Sequence, residues 1–443
     1  MKPDLKSLKS NVIFKVIIIV VITMLLLIPT AMIESLISER QHTQEEAIGE
    51  VSSKWGESQT ITGPIVSVPF FQYSKEYSKT DSTEKIVQIK EYFHFLPTSL
   101  KINGTILPEL RNRGIYDIVV YNSKLNIAGN FSNIRFNDQD IPVQDIQFDK
   151  AELTIGITDL RGIEKQVFLK WNNQNVSFNP GVFSTDIVES GINAPVAITK
   201  TNDASYSFNF DLDLKGSQLL YFIPAGEITD INISSPWKNP KFNGAFLPDT
   251  RNISESGFTA NWNILHLNRN FPQMWIGDKY RTTQSAFGID LLLPVDNYQK
   301  SMRSVKYAIL FIVFTFLVFF FVEVLNKTFI HPIQYLLVGI ALIIFFALLL
   351  SISEHINFNK AFVLSAIATL ALITGYTKAI LKSTQLTALI SSILLILYLF
   401  IFVIIQLQDY ALLIGSIGLF VILAISMYFS RKIDWYNLNL DEK

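Results

Sequence analysis

The chain contains no cysteine among its 443 residues. This absence excludes disulfide bonds, thiolate nucleophiles and cysteine-ligated metal sites. Charged residues are also few, at 17% of the sequence, where soluble domains have about 25%. The formal net charge of −1 provides no basic field across the chain, so we expect no nucleic acid among its partners.

Histidine is scarce as well, and the common catalytic motifs are missing. The five histidines include no pair spaced four residues apart, so the H-E-x-x-H zinc motif is absent. Neither G-x-S-x-G nor the phosphate-binding G-x-x-x-x-G-K-[ST] occurs. We therefore predict no metal site, no cofactor and no catalytic residues, and we expect that the protein is not an enzyme.

Long apolar runs, by contrast, fill much of the chain. Each has about the 20 residues that a helix needs to cross a bilayer. The first run is longer than the apolar region of a cleaved signal peptide, about 7–15 residues, so we interpret it as an uncleaved anchor. The sequence thus predicts six transmembrane helices in the lipid bilayer, at residues 12–33, 305–325, 332–352, 358–381, 387–407 and 410–429.

Lysine and arginine in the short loops indicate how these helices are oriented. Basic residues cluster on the side that holds the N-terminus, whereas the short loops of the other side contain only Lys360. We therefore predict that both termini are cytoplasmic and that residues 34–303 lie outside the cytoplasm. Arg303 and Lys306 depart from the rule, since they lie at the outer end of the second run. An alternative with one span fewer places the C-terminus on the outer side.

The segment outside the cytoplasm shows two periodicities. Residues 34–57 fit an amphipathic linker helix. From residue 58 onward the period is two, as where Tyr206, Phe208 and Phe210 alternate with polar residues. That period is typical of strands with one buried face. The predicted fold is an integral membrane α-helical protein with a large, mostly antiparallel, sandwich-like β domain outside the cytoplasm.

A short pattern recurs at an offset of 140 residues. The matched residues are Ile102-Asn103-Gly104 with Phe242-Asn243-Gly244, and Arg111-Asn112 with Arg251-Asn252. Such self-similarity predicts two related β units, although recurrent turn chemistry is an alternative origin. The predicted organisation is 1–33 (cytoplasmic N-terminus and first transmembrane helix), 34–57 (linker helix), 58–170 and 171–303 (two periplasmic β units), 304–430 (five-helix bundle) and 431–443 (cytoplasmic tail).

Polar groups at the membrane boundary are the candidate functional residues. Glu323 lies near the inner end of the second apolar run, and His331, Gln334 and Tyr335 begin the third run on the same side. A carboxylate and an imidazole within reach of each other would relay a proton or bind an anchored ligand. The alternative is interfacial snorkelling with a hydrogen bond at the helix end, where Pro332 suits the first turn.

A second polar group lies on the opposite side of the membrane. Glu354 and His355 follow the third run and are separated from His331 by about 36 Å of helix. The two groups therefore do not form one compact site, and we expect each to contact a separate partner. Arg303 and Lys306 lie on the side of Glu354, where they are candidates for pairing with it or for holding lipid headgroups.

Several motifs are similar to those of one bacterial family. They include Pro294-Val295-Asp296-Asn297-Tyr298, His331-Pro332-Ile333-Gln334-Tyr335-Leu336-Leu337-Val338-Gly339, Ser353-Glu354-His355 and Arg113-Gly114-Ile115-Tyr116. On these residues the chain resembles the CreD family of inner-membrane proteins. The resemblance implies a multi-pass protein of the bacterial inner membrane, linked to a two-component regulon, to envelope integrity and to tolerance of colicins and β-lactams. It implies no catalytic residues.

The sequence leaves three functions open. The first is a non-enzymatic envelope-integrity and stress-tolerance protein whose periplasmic β domain binds an envelope component or another inner-membrane or envelope protein. The second is a membrane enzyme or transporter for a lipid-linked substrate, which the polar boundary residues motivate. The third is a sensory accessory to a two-component system, which would act through another membrane protein because the tail 431–443 is too short for an output domain.

Overall fold

A computed structural model of the chain describes residues 12–77, 84–132, 134–136, 141–199, 204–291, 293, 297–407 and 410–431. The chain divides into two compact units, one comprising residues 1–45 with 295–443 and the other residues 46–294. The predicted cytoplasmic tail lies outside the described residues except for Arg431.

The first helix, α1, is one continuous element, Val12–Trp55. It joins the predicted first transmembrane helix and the predicted linker helix, and it continues through Pro29 without a break. Its N-terminal part is apolar enough to cross a membrane.

Six more helices follow the β unit in the chain. The first of them is a short helix at residues 297–306, which a turn at Tyr307 separates from the apolar helix that follows. Its buried residues are Tyr298, Ser301, Ser304 and Val305. With α1, the described residues contain six helices that are long and apolar enough to span a membrane, which confirms the predicted helical fold class. The bounds are α2 (Asn297–Lys306), α3 (Ala308–Leu325), α4 (Pro332–Ser353), α5 (Phe358–Leu381), α6 (Thr384–Gln406) and α7 (Ala411–Ser430).

Aromatic side chains hold the middle of the helical unit together. Tyr398 of α6 lies with its ring centroid 4.7 Å from that of Phe311 on α3 and 4.9 Å from that of Phe345 on α4. Phe362 of α5 meets Phe345 edge-on at 5.2 Å. Such edge-to-face pairs each contribute about 0.5–1.5 kcal/mol beyond the area they bury. These contacts join α3, α4, α5 and α6, whereas α7 has no buried residue.

The described part of the second unit contains seventeen strands in two sheets. The nine-stranded sheet has the order β13-β17-β11-β1-β5-β9-β8, with β2 paired to β1 and β16 paired to β2. The eight-stranded sheet has the order β14-β15-β12-β3-β4-β10-β6-β7. The bounds are β1 (Gln59–Tyr77), β2 (Glu84–Phe95), β3 (Ser99–Arg113), β4 (Tyr116–Ser132), β5 (Glu152–Ile157), β6 (Phe168–Trp171), β7 (Gln174–Ser177), β8 (Asn179–Pro180), β9 (Gly191–Pro195), β10 (Ser205–Ser217), β11 (Leu219–Ile223), β12 (Ile228–Ser235), β13 (Pro240–Gly244), β14 (Thr250–Ser254), β15 (Gly257–Leu265), β16 (Met274–Ile276) and β17 (Phe287–Leu291).

Two parallel pairings join early strands to late ones. Strand β1 pairs with β11, and β3 pairs with β12, each in parallel, while the other pairings among the described strands are antiparallel. The mostly antiparallel β prediction is thus confirmed, with these two additions. Both sheets contain strands from each side of the proposed boundary at residue 170, and that boundary stays a prediction.

The recurring sequence pattern occupies equivalent positions only in its second half. Arg111-Asn112 and Arg251-Asn252 each lie in the first strand of a hairpin in the eight-stranded sheet. Ile102-Asn103-Gly104 lies in that same sheet on β3, but Phe242-Asn243-Gly244 lies on β13 of the nine-stranded sheet. The match at a fixed spacing therefore does not describe two superimposable units over its full length.

The alternation read from the sequence marks the core of the β unit. Along β10, Tyr206, Phe208, Phe210 and Leu212 are buried, while the polar residues that alternate with them up to Asp211 are exposed. Each fully buried aromatic or aliphatic side chain contributes about 1.5–3 kcal/mol relative to exposure. The polar residues between them consequently face away from the core, on the outer side of the eight-stranded sheet.

We expect Gly129→Ala to destabilise the β unit. Gly129 lies on β4, where an added Cβ would overlap the carbonyl oxygen of Ser99 and lie 2.7 Å from Cζ of Phe208. Overpacking of this kind costs about 1–3 kcal/mol, a fall of several degrees in the melting temperature of the purified protein. Ala128→Ser, one residue earlier on the outer face, is the control and should change stability by less than about 0.5 kcal/mol. Equal melting temperatures for the two variants would contradict this packing.

Candidate functional site

Glu323 is the most deeply buried of the predicted boundary residues, with no exposed side-chain surface. Its carboxylate accepts hydrogen bonds from the Tyr335 hydroxyl at 2.8 Å and from the backbone N–H of Ile330 at 2.9 Å. The ammonium group of Lys15 contacts the same carboxylate. A charge in this position is tolerated only when it is paired and hydrogen-bonded, and all three partners satisfy it here.

Lys15 is a partner of Glu323 that sequence reasoning missed. It is 5% exposed on α1, and its ammonium nitrogen also lies 4.1 Å from the centroid of the Phe329 ring. In the sequence, Lys15 is one of the basic residues on the side that holds the N-terminus. The sequence does contain a signal for this contact: one apolar run includes Lys15 and another includes Glu323. Opposite charges inside such runs tend to pair with each other.

The structure does not bring His331 to Glu323. The exposed imidazole of His331 is the N-cap of α4, where Nδ1 accepts from the backbone N–H of Ile333 at 3.3 Å. In return, Oε1 of Gln334 accepts from the backbone N–H of His331 at 2.9 Å, and Pro332 occupies the first turn. This reciprocal arrangement is a capping box, the helix-end role that the sequence offered as the alternative to a relay.

Glu354 ends α4 and is held from two other helices. The Tyr298 hydroxyl of α2 donates to Oε1 of Glu354 at 3.0 Å, and Nε of Arg40 on α1 lies 3.9 Å from the same oxygen. Arg303 and Lys306 form no ion pair among the described residues, and Lys306 is exposed. The basic partner of Glu354 is therefore Arg40. His355, next to it, is exposed.

A chain of hydrogen bonds joins two buried polar residues, on β1 and β2, to Asp186. Ser67 on β1 and His94 on β2 are paired across strands, with Oγ and Nδ1 2.9 Å apart, and Nε2 of His94 lies 2.9 Å from Oδ2 of Asp186. Because a carboxylate only accepts, Nε2 of His94 donates to Asp186, while Nδ1 and the Ser67 hydroxyl share the second hydrogen bond. That hydrogen bond from His94 lowers the pKa of Asp186.

The same residue types form hydrolytic triads, but the ring here is reversed. In a serine hydrolase the nucleophile hydrogen-bonds Nε2 and the carboxylate hydrogen-bonds Nδ1. Ser67 is also 3% exposed. The arrangement fits an anchor that holds the loop carrying Asp186 against the sheet. Sequence reasoning missed it, because the partners are 27 and 92 residues apart in the chain.

The outer face of the eight-stranded sheet carries aligned rows of polar side chains. Strand register places the first row across six neighbouring strands, from β14 to β10: Thr250, Asn261, Asn232, Asn103, Asn126 and Asp211. A second row, one pleat further along, contains Asn252, Thr259, Ser234, Thr105, Lys124 and Asp213. We call this surface the polar groove.

Hydrogen bonds link several neighbours within the first row. Nδ2 of Asn261 donates to Oδ1 of Asn232 at 2.6 Å, and Nδ2 of Asn232 donates to Oδ1 of Asn103 at 3.3 Å. Nδ2 of Asn126 donates to Oδ1 of Asp211 at 2.8 Å. Both rows line a cavity of about 1090 Å³, which is large enough for a sizeable ligand.

Charge in the polar groove is nearly balanced. Lys124, Lys165 and Arg251 line it together with Asp211 and Asp213. Nζ of Lys165 donates to Asp213 at 2.5 Å, and this contact raises the pKa of Lys165. Within the described residues, no group of three or more histidine, aspartate or glutamate side chains could hold a metal ion. The groove therefore offers amides and hydroxyls for hydrogen bonding, with little net field.

The architecture defines a class: a multi-pass membrane protein whose chain also forms a large two-sheet β unit. The chain belongs to the CreD family, since the family model "Inner membrane protein CreD" matches residues 11–436. It is 30% identical to inner membrane protein CreD of Escherichia coli strain K12 over 436 residues, which cover 98% of this chain and 96% of that relative. The resemblance found in the sequence is thereby confirmed.

Among solved structures, the M1 zinc metallopeptidase of Deinococcus radiodurans aligns with 41% of this chain and 42% of its own, at a TM-score of 0.20 and 9% identity. A mutant of the same peptidase aligns at a TM-score of 0.18, with 38% of each chain covered and 9% identity. These scores are too low to relate the folds.

We expect the Lys15–Glu323 contact to show strong coupling. Lys15→Met leaves a buried carboxylate without its cation, and Glu323→Gln leaves a buried ammonium without its anion, so each should cost about 3–5 kcal/mol. The double variant removes both charges and should be less destabilised than the sum of the two single changes. The measurement is thermal unfolding of the purified full chain, with exposed Lys378→Met as control. Strictly additive effects would contradict a direct pair.

We expect Asp186→Asn to destabilise the β unit near pH 7 and to lose this effect in acid. The folded-state pKa of Asp186 is below its usual value of about 3.9. Its contribution is thus fully present above that value and disappears as pH falls through the lowered pKa. Melting temperatures of wild type and variant should differ at about pH 5 and above, and should approach each other as pH falls below about pH 4 towards the lowered pKa. Exposed Asp149→Asn is the control, and a gap that persists in acid would contradict the contact.

Proposed function

We propose that this inner-membrane protein maintains envelope integrity under stress by binding an envelope component or partner protein through its β unit. Residues 34–303 are periplasmic and both termini are cytoplasmic in this proposal. The distribution of lysine and arginine in the short loops supports the orientation. The helical unit then anchors the binding surface at the membrane.

The polar groove is the observation that carries the proposal. It is the outer face of a sheet whose inner face is filled by the core. Its rows run across six strands fixed by backbone pairing. A rigid, preorganised surface of donors and acceptors loses little conformational entropy when a partner binds.

The contacts that the boundary residues already make favour a binding function over an enzyme or transporter site among the helices. Glu323 is already held by Lys15 and Tyr335, and His331 is used as a helix cap. A general base needs a free position next to a reacting proton. These contacts weigh against the alternative of an enzyme or transporter for a lipid-linked substrate.

Complementation of a deletion strain tests the proposal. We expect Thr105→Tyr with Ser234→Tyr to fill the polar groove, because tyrosine suits strands and these two positions are paired across them. When both proteins are present in the membrane in equal amounts, the wild type should restore the survival of cells exposed to a pore-forming toxin or a β-lactam. The variant should fail to restore it.

Two further variants make the result specific. Asn175→Tyr places tyrosine on β7, outside the polar groove, and should restore survival fully. His331→Asn with His355→Ala changes two exposed boundary groups, while asparagine keeps a cap acceptor for α4, so this variant should also restore survival. If the groove-filling variant restored survival and the histidine variant did not, function would belong to the helical unit.

A further inference from the structure

The first row of the polar groove contains four asparagines on four adjacent strands. Asn261, Asn232, Asn103 and Asn126 lie side by side through β15, β12, β3 and β4. Asparagine is disfavoured in strands, where β-branched and aromatic residues are preferred. Four of them in register work against local strand formation, and such local conflicts are expected at functional positions.

The amides retain hydrogen-bonding capacity after pairing with one another. Each asparagine side chain has two N–H donors and an oxygen with two lone pairs. Asn103 accepts one bond from Asn232, and Asn232 accepts one from Asn261. Unused N–H donors and unused oxygen lone pairs therefore still face the cavity. A hydroxyl group also donates and accepts, which makes polyhydroxylated molecules the matching chemistry.

The geometry of the row matches an extended ligand. Neighbouring strands are about 4.8 Å apart, so six strands present polar groups over about 24 Å along a line perpendicular to the strands. The groups repeat at a regular interval, which suits a linear polymer with repeated hydroxyl and amide substituents. The two rows are parallel and would hold the two edges of such a chain.

Charge selects against polyanions and polycations. The polar groove is lined by three basic and two acidic residues, and the Lys165–Asp213 pair is already formed. A strongly charged polymer would require a field of one sign. Ten of the nineteen lining residues carry an amide or a hydroxyl instead.

We propose that the polar groove binds a neutral linear glycan carrying N-acetyl groups, with its chain laid across β15, β12, β3 and β4. The amide row hydrogen-bonds the hydroxyl and acetamido groups of successive sugar units. This inference rests on the proposed binding function and names its ligand class.

Calorimetric titration of the purified full chain tests the assignment, in a detergent without a sugar headgroup. The probe is a linear oligosaccharide of β-1,4-linked N-acetylglucosamine units. We expect wild type to bind it, and Asn103→Thr with Asn232→Thr to weaken binding by about tenfold or more, because several hydrogen bonds are lost while strand preference is kept. Asn175→Thr, on the same sheet face outside the cavity, should change the Kd by less than about twofold.

Two arms separate the ligand classes. A sulfated oligosaccharide of equal length should bind more weakly than the neutral probe, and raising salt from about 0.05 to about 0.5 M should leave the neutral probe's Kd nearly unchanged. Absence of binding to the neutral probe, equal binding by the double variant, or tighter binding of the sulfated probe would each overturn the glycan assignment.

The complementation experiment keeps the two proposals apart. If the neutral probe does not bind but the groove-filling variant still fails to restore survival, the glycan assignment is wrong and the binding function stands. If the groove-filling variant restores survival fully, the binding function is wrong, whatever the titration shows.

Discussion

The parallel pairing of β3 with β12 is the constraint on which the polar groove depends. It joins the β3–β4 hairpin to the later strands β12, β15 and β14, and its paired residues, such as Asn103 and Asn232, are 129 positions apart in the chain. Register at this one junction sets Asn103 beside Asn232. A slip by one residue would turn every groove side chain on one partner toward the core, so a single backbone alignment fixes both the packing and the surface chemistry.

In the helical unit, by contrast, a few polar contacts lie among apolar side chains. Lys15, Glu323 and Tyr335 bring α1, α3 and α4 together at one end, and Arg40, Tyr298 and Glu354 bring α1, α2 and α4 together at the other. The Lys15–Glu323 contact is buried; such a pair adds little net stability, but removing one partner is costly. The polar contacts specify which helices are neighbours, while the aromatic contacts between α3, α4, α5 and α6 supply the packing.

The sequence predicts the elements better than their partners. Length and hydropathy are local properties, so the apolar runs and the alternation along β10 could be recognised directly. The extra break at Tyr307 and the fusion of span and linker into α1 were not predicted, because tertiary contacts decide helix ends. The Lys15–Glu323 contact, the Ser67–His94–Asp186 chain and the polar groove all join residues far apart in the chain. Spacing along one sequence does not reveal such contacts.

The absence of cysteine makes the central claim directly measurable. Thr105→Cys places a single thiol in the polar groove, and Asn175→Cys places one on the same sheet face outside it. Both would be labelled with a membrane-impermeant maleimide in cells with a permeabilised outer membrane, and again in the purified protein. Occupation of the groove by an envelope component predicts that Thr105→Cys reacts more slowly in cells than after purification, while Asn175→Cys reacts equally in both. Equal rates for Thr105→Cys in cells and in the purified protein would contradict a groove that binds a ligand in the envelope.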